Sequence, residues 1–416
     1  MEIQFLGGAR EVGRSSFYVK GSKNFLLDYG VKVGRKIEYP ISVGKVDAFI
    51  LSHAHLDHCG FAPELYRHAF PIAFGTEPSL RLAELLLEDS IKIGIKEHLP
   101  PKFTKRELGF FLRRYVPYDY GAPVGFGEYD ITFYDAGHMC GSAVTKIEKS
   151  SSGRKLVYTG DFKIEEQLLQ RSAEIVESDI LMIETTYANR NHEDRKSAIK
   201  RFVEEVREVV DNKGTALVPV FAVGRAQEVL AMLHKNGLSD KVYMDGMARK
   251  ATDITLEFYK YLNNVELLKD AVKNIQRVKD RRDRIGALDG GNIILTPAGM
   301  LNGGPVLNYI TKLRKNSKIF LTGYQAEATN GRMILEEGKV EIDENIHRIP
   351  YPVLKYDFSA HAGRDDILEY VRKSNPEKVI CVHGDAENST SIATELKEEG
   401  FEAFAPEVGD RLEFEF

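Results

Sequence analysis

The stretch His53-Ala54-His55-Leu56-Asp57-His58 constrains this chain more than any other. It directly follows an apolar run, Val46-Asp47-Ala48-Phe49-Ile50-Leu51, that reads as a short buried strand. Residues two apart on a strand point the same way, so His53 and His55 can share one metal ion. The chain then turns, and Asp57 and His58 can face a second position. Two imidazoles beside a carboxylate–imidazole pair suit a borderline cation such as zinc. A lone histidine is usually a packing or surface residue. Three histidines and an aspartate within six positions rarely have a packing reason, so metal binding is the reading we carry forward.

The rest of the chain is read around that motif. Its 416 residues suggest two or three domains at roughly 150 residues each. The formal charge of -5 does not announce a nucleic-acid partner, so any such partner must be held by a local basic cleft. Cys59, Cys140 and Cys381 are too few and too far apart for a disulfide framework and are expected as small core residues. The N-terminus has no secretion pattern, and no apolar run approaches the ~20 residues of a membrane helix. A soluble, cytoplasmic protein with no membrane association is expected.

Residues 1–60 read as short strands with glycine-rich turns. Asp28 ends one of them and is either a turn residue or a carboxylate that fixes a ligand histidine. A short helix is expected from Pro63 to Phe70. A longer one is expected over 78–98, with Leu82, Leu85, Leu86 and Ile93 as its core face. A β-rich stretch from Pro117 to Asp161 carries Asp135-Ala136-Gly137-His138 and Leu156-Val157-Tyr158-Thr159-Gly160-Asp161. Each places a potential ligand after an apolar strand, and together they add a histidine and a carboxylate able to bridge two metals. Leu181-Met182-Ile183-Glu184 is another strand ending in an acid.

From about Tyr187 strands alternate with helices, which indicates a parallel sheet with crossovers. The last stretch reverts: Ser359-Ala360-His361-Ala362-Gly363 precedes a helix over 364–374, and the strand Lys378–Val382 ends in His383-Gly384-Asp385. The simplest organisation is a first domain over 1–187, an α/β insertion over 188–352, and a return to the first domain over 353–416.

The hexapeptide with Asp28, His138 and Asp161 resembles the metallo-β-lactamase fold. Glu184, Ser359-Ala360-His361-Ala362 and Val382-His383-Gly384 match the three further motifs of the β-CASP branch, which acts on nucleic acids. Leu6-Gly7-Gly8-Ala9-Arg10-Glu11-Val12-Gly13-Arg14-Ser15, Phe221-Ala222-Val223-Gly224-Arg225-Ala226-Gln227-Glu228 and Gly323-Tyr324-Gln325-Ala326-Glu327 look like the cleavage and polyadenylation specificity factor group. The similarity is to its short archaeal endonuclease-type members without an N-terminal KH pair.

The resemblance implies an α/β fold, an αββα sandwich with an inserted α/β domain whose parallel sheet is flanked by helices and which caps the metal cleft. It implies two zinc ions, one held by His53, His55, His138 and Asp161, the other by Asp57, His58, Asp161 and His383. Single-stranded RNA is the implied partner. A homodimer and other RNA-processing or decay proteins are further implied partners.

The chemistry this implies is hydrolysis of an RNA phosphodiester by hydroxide supplied at a metal pair, leaving a 5′-phosphate and a 3′-hydroxyl. Asp57 orients the hydroxide, His361 protonates the leaving oxygen, and Glu184 fixes the His361 tautomer. Endonuclease action is expected, with 5′–3′ exonuclease action as a second mode. Ser359 is a phosphate candidate through its motif. Arg225, Gly303 and Gly304 are candidates because glycine-bearing helix starts present amides to anions, an expectation no better than the plain reading that glycine and proline start those helices.

The run Lys273 to Arg284 is expected as a solvated helix face. His68, His98, His192, His234 and His347 are expected to be ordinary surface or packing residues. The competing functions are an RNase J-like 5′–3′ exoribonuclease, a small-molecule ester or thioester hydrolase, and a metal-free RNA-processing scaffold. The retention of every ligand position argues against the scaffold. An insertion suited to a threaded polymer argues against the small-molecule hydrolase.

Overall fold

Three neighbouring parallel strands do most to set up the chemistry of this chain. In the computed structural model, which describes residues 1–34 and 36–416, Lys155–Tyr158, Ile180–Glu184 and Lys378–Val382 lie side by side and run the same way. Glu184 is in register with Val382, and Tyr158 with Met182. The residues that follow these strand ends therefore emerge along one edge, which brings Asp161, Glu184 and His383 together. In a second sheet the parallel strands Phe25–Leu27 and Ala48–Ile50 pair Leu27 with Ile50, so Asp28 and the Ser52-His53 turn also emerge side by side.

The chain divides into two units. The first comprises Met1–Glu166, Arg171–Asn191 and Ala360–Phe416, and the second Gln167–Gln170 and His192–Ser359. The first unit holds two seven-stranded sheets. One runs, in spatial order, Arg411–Glu413, Glu2–Gly7, Ser16–Lys20, Phe25–Leu27, Ala48–Ile50, Ile72–Gly75, Tyr115–Pro117. The other runs Glu402–Phe404, Lys378–Val382, Ile180–Glu184, Lys155–Tyr158, Ala143–Lys149, Tyr129–Asp135, Val124–Phe126.

Side chains alternate across each strand. Ile180, Met182, Ile380 and Val382 join Phe5, Phe17, Phe133 and Tyr158 in one core, with Phe17 edge-on to Tyr158 at 5.4 Å between ring centroids. Leu181, Ile183, Val379 and Cys381 face the opposite way and are covered by Ile367, Tyr370 and Val371 of the helix Arg364–Ser374 and by Ile392 and Leu396 of Ala386–Glu398. The other sheet is covered by Glu77–Lys96 and Lys105–Arg114, with Phe111 packed on Phe49. This is an αββα sandwich, the architecture expected from the sequence.

The second unit is built on a six-stranded sheet whose five strand pairings are all parallel, in the order Gln276–Arg277, Val242–Met244, Asn292–Thr296, Thr215–Pro219, Lys318–Leu321, Val353–Lys355. One face packs Leu217, Ile294 and Ile319 against Tyr309 and Ile310. On the other, Phe202 of the helix Arg195–Asp211 meets Phe320 at 5.7 Å. The strand Val353–Lys355 pairs with Lys318–Leu321 and so belongs to this unit, beyond the span of 188–352 read from the sequence.

Three local expectations need correction. The helix over 78–98 forms as Glu77–Lys96, but Leu85 and Leu86 are only half-buried and Ile93 is 46% exposed, while Leu87 is buried. Burial stops at Leu87 because no layer covers the last two turns. The run 273–284 is no single helix face, since it crosses the end of Val265–Asn274, the strand Gln276–Arg277 and the start of Arg281–Ala287. The expected helix from Pro63 to Phe70 is a 3-10 helix, Ala62–Arg67. The three cysteines are buried, and no helix among the described residues is long and apolar enough to cross a membrane.

Candidate metal centre

His53 and His55 follow the strand Ala48–Ile50, and Asp57 and His58 lie in the single helical turn Leu56–Cys59. His138 follows Tyr129–Asp135, and Asp161 and His383 follow the parallel strands described above. All belong to the first unit. Their ligand atoms form two groups, His53, His55, His138 and Asp161 in one and Asp57, His58 and His383 in the other, with a third group of Asp161, Glu184 and His361 beside them.

In the first group His55 Nδ1 lies 3.2 Å from His53 Nε2 and 3.1 Å from His138 Nε2. Asp161 Oδ2 lies 3.5 Å from His53 Nε2 and 3.8 Å from His138 Nε2. Ligands in a tetrahedral zinc site, each about 2.0–2.2 Å from the ion, sit about 3.4 Å apart, so this spacing fits one such ion. His138 Nδ1 donates to Ala360 O at 2.9 Å, which leaves its Nε2 lone pair facing the group. Burial holds His53 and His138 well below the ordinary imidazole pKa, so both rings are neutral and able to coordinate.

In the second group the other Asp161 oxygen, Oδ1, is 3.3 Å from His58 Nε2 and 3.2 Å from His383 Nδ1. Asp57 Oδ2 is 3.5 Å from His383 Nε2. The decisive observation concerns satisfaction. His58 Nε2, Asp161 Oδ1 and His383 Nε2 are buried and have no hydrogen-bond partner. His58 donates through Nδ1 to Asp28 Oδ2 at 2.7 Å. Burial lowers its pKa, but the Asp161, Asp28 and Asp57 carboxylates outweigh it and raise the ring well above the ordinary imidazole value. Its Nε2 therefore faces Asp161 as a position that a proton or a metal ion can fill. Buried nitrogen and carboxylate atoms that face one another without a hydrogen bond are costly unless a proton or a metal cation lies between them. Burial pushes Asp161 and Asp57 upward, but the surrounding histidines outweigh it and hold both carboxyls well below their usual range. Nitrogen and oxygen donors without a thiolate suit zinc.

Beside the two groups, His361 Nδ1 lies 2.8 Å from Glu184 Oε2 and 3.1 Å from Oε1. Glu184 is itself pinned by Phe162 N at 2.9 Å and the Thr186 hydroxyl at 2.6 Å. Burial lowers the His361 pKa, but the Glu184 and Asp161 carboxylates outweigh it and raise the ring to about 9.

The phosphate candidates Arg225, Gly303, Gly304 and Ser359 are in the second unit. The helix after Gly304 has only five residues, Val306–Ile310, and Val306 N donates to Pro297 O at 3.1 Å. After Gly224, Arg225 N and Ala226 N donate to Val223 O and Phe221 O. These three amides are taken by the chain's own carbonyls. Ser359 is buried, with its amide 3.3 Å from Asp357 Oδ1. Of the histidines outside the ligand pattern, His192 and His234 bond Asp357 and Ser239, while His68, His98 and His347 are exposed.

The sequence reading missed Ser52, Tyr158 and Thr186, which hold Asp28, His53 and Glu184 in place. Ser52 adjoins the motif, and Tyr158 is three residues before Asp161. Only strand register tells that they meet Asp28.

Three family models match the chain in succession: a β-lactamase superfamily domain over 23–219, a β-CASP domain over 226–334, and a zinc-dependent metallo-hydrolase RNA specificity domain over 347–406. The third spans His361 and His383, the residues that the sequence analysis assigned as proton donor and metal ligand. The chain is 37% identical over 427 residues to a probable RNase MJ4 of Methanocaldococcus jannaschii, covering 99% of this chain and 100% of that one. It is 38% identical to the RNase aCSPSF2 of Saccharolobus solfataricus, covering 99% and 85%. A protein of unknown function from Enterococcus faecalis shares the fold at a TM-score of 0.64 and 13% identity, covering 99% of both chains. The chain belongs to the metallo-β-lactamase superfamily, in its β-CASP branch, among the short archaeal ribonuclease-type members.

Proposed function

We propose that this chain is a zinc-dependent ribonuclease that hydrolyses phosphodiester bonds of single-stranded RNA, cutting internally and with a 5′–3′ exonuclease mode. The reading rests on one observation above all: both oxygens of the buried Asp161 face histidine groups, and His58 Nε2, Asp161 Oδ1 and His383 Nε2 make no hydrogen bond. We assign one ion to His53, His55, His138 and Asp161, and a second to Asp57, His58, Asp161 and His383. Such ions supply Lewis acidity toward a phosphate and acidify water.

The protein's own residues do the rest. Asp57 sits at the open rim of the second group, its side chain 32% exposed, where it can orient the attacking water. His361 keeps its Nδ1 proton on Glu184, so Nε2 carries the proton that passes to the leaving 3′ oxygen. The Glu184 carboxylate beside it favours the charged ring and so holds that proton in place. Glu184 is held by two donors of its own and so fixes the plane of the ring. The products are a 5′-phosphate and a 3′-hydroxyl. None of these steps uses the 2′-hydroxyl, so discrimination against DNA is a matter of binding.

The test is zinc-loaded protein on an internally labelled, unstructured RNA. Cleavage by the wild type that falls at least ~100-fold in both Asp57→Ala and His361→Ala is expected. An inert wild type, or variants that cut as fast, sinks the reading.

A further inference from the structure

Beneath the two ligand groups lies a single serine. Ser52 is 1% exposed and immediately precedes His53. Its hydroxyl oxygen is 2.6 Å from Asp28 Oδ2, 3.0 Å from His53 Nδ1 and 3.4 Å from His58 Nδ1. Asp28 is 0% exposed and is a hub of donors: Ser52 N reaches Oδ1 at 2.8 Å, while Oδ2 also receives His58 Nδ1 at 2.7 Å and Tyr158 OH at 2.8 Å. The His53 and His58 rings lie 4.0 Å apart between centroids.

A hydroxyl has one proton to give. Asp28 Oδ2 is the acceptor on which His58 Nδ1 and Tyr158 OH also converge, so Ser52 gives its proton to Asp28. Its oxygen then meets His53 Nδ1 as an acceptor, and His53 must donate through Nδ1. That tautomer leaves the Nε2 lone pair on the side of His55, His138 and Asp161. His58 reaches the same carboxylate directly, and its Nε2 faces the other group.

We propose that Ser52 is a positioning residue that fixes the ring tautomer of His53 and, through Asp28, couples the two cation-binding groups. One carboxylate thereby orients one histidine in each group, the first through a hydroxyl and the second directly. The inference rests on the metal reading above and concerns how that centre is held together.

The test reads zinc, not cleavage. Stepwise zinc affinity is measured by chelator competition at pH 7 for the wild type, Ser52→Ala, Ser52→Thr, Asp28→Asn and Ser52→Ala/Asp28→Asn. Loss of a partner that orients a ligand histidine costs about 10–100-fold in affinity. Ser52→Ala is expected to weaken one step by that factor, and Ser52→Thr, which keeps the hydroxyl, to restore it. Asp28→Asn is expected to weaken both steps when Ser52 is present. In the Ser52→Ala background it should add loss at only one.

The imidazole nitrogen spectrum of metal-free, histidine-labelled protein gives an independent readout. His53 should carry its proton on Nδ1 in the wild type and Ser52→Thr, and a mixture of tautomers in Ser52→Ala. A wild type that binds no zinc overturns the metal reading. A wild type that binds two ions, with Ser52→Ala matching it at both steps or Asp28→Asn affecting only one, overturns the coupling alone.

Discussion

Gly30 offers the sharpest test of how the second ligand group is positioned. The segment 28–31 lies along the turn that carries Asp57 and His58. Tyr29 N donates to His58 O at 2.8 Å, Val31 N to Leu56 O at 2.9 Å, and Ser15 N to Asp57 O at 2.8 Å. A methyl group on Gly30 falls 1.8 Å from Asp57 O, 2.0 Å from Asp57 C and 2.6 Å from His58 N. All three are backbone atoms, so no side chain can swing aside. The two backbones must part by about 1 Å or more to fit the methyl, and the three hydrogen bonds stretch or break.

At about 1 kcal/mol each, Gly30→Ala is expected to cost about 3 kcal/mol. In a unit of this size that lowers the Tm of the metal-free protein by roughly 5–10 °C. The displaced atoms carry Asp57 and His58 but not His53, His55 or His138, so zinc content should fall from two ions toward one. Thermal unfolding in chelator and zinc analysis of the repurified protein check both parts. A variant that melts with the wild type and keeps two tightly held ions would show that Asp57 is not positioned by this contact.

Other substitutions test other parts of the chain. Gly94 lies in the helix Glu77–Lys96 with nothing within 4 Å of an added methyl, so Gly94→Ala should raise stability by about 0.5–1 kcal/mol, read from Tm. Asp135 is pushed up to about 7, by burial first and by the charge of Glu174 as well. Its folded pKa lies above the ordinary 3.8, so its charge is no burden below that value. The penalty grows as pH rises toward 7 and reaches up to about 4 kcal/mol above it. Asp135→Asn should therefore match the wild type near pH 4 and melt higher at pH 8, both measured in chelator; an equal difference at both pH values refutes the assignment. Glu228 accepts from Leu168 N at 2.8 Å, Leu169 N at 3.1 Å and the buried Arg195 at 2.8 Å. Glu228→Ala strands a buried guanidinium and two amides and should cost about 3–5 kcal/mol in denaturant unfolding.

What could be read from the sequence, and what could not, divides along a physical line. His53, His55, Asp57 and His58 sit within six positions, and local spacing alone suggests one ion shared by His53 and His55 and a second position faced by Asp57 and His58. His138, Asp161, Glu184 and His383 are legible because each closes or follows an apolar strand, and parallel strands bring their ends to one edge. The αββα layers came from the family resemblance that those motifs carry.

Periodicity does not say where a covering layer stops. Ile93 fits the helical repeat as well as Leu82, yet one is exposed and the other buried. Nor does a glycine before a helix say whether the first amides remain available. At Gly224 and Gly304 the chain's own carbonyls take them.

The contacts that hold the centre together were the least legible, because they depend on register between strands far apart in sequence. Tyr158 reaches Asp28 across 130 positions, and Gly30 matters only because Asp57 lies against it. A ligand motif read from sequence therefore gives the atoms that touch the ion, while the residues that decide their tautomer and spacing come from the fold. If that division holds, Ser52→Ala and Gly30→Ala, which remove no ligand, should each perturb zinc binding. A substitution that changes neither orientation nor spacing, such as Gly94→Ala, should leave it alone.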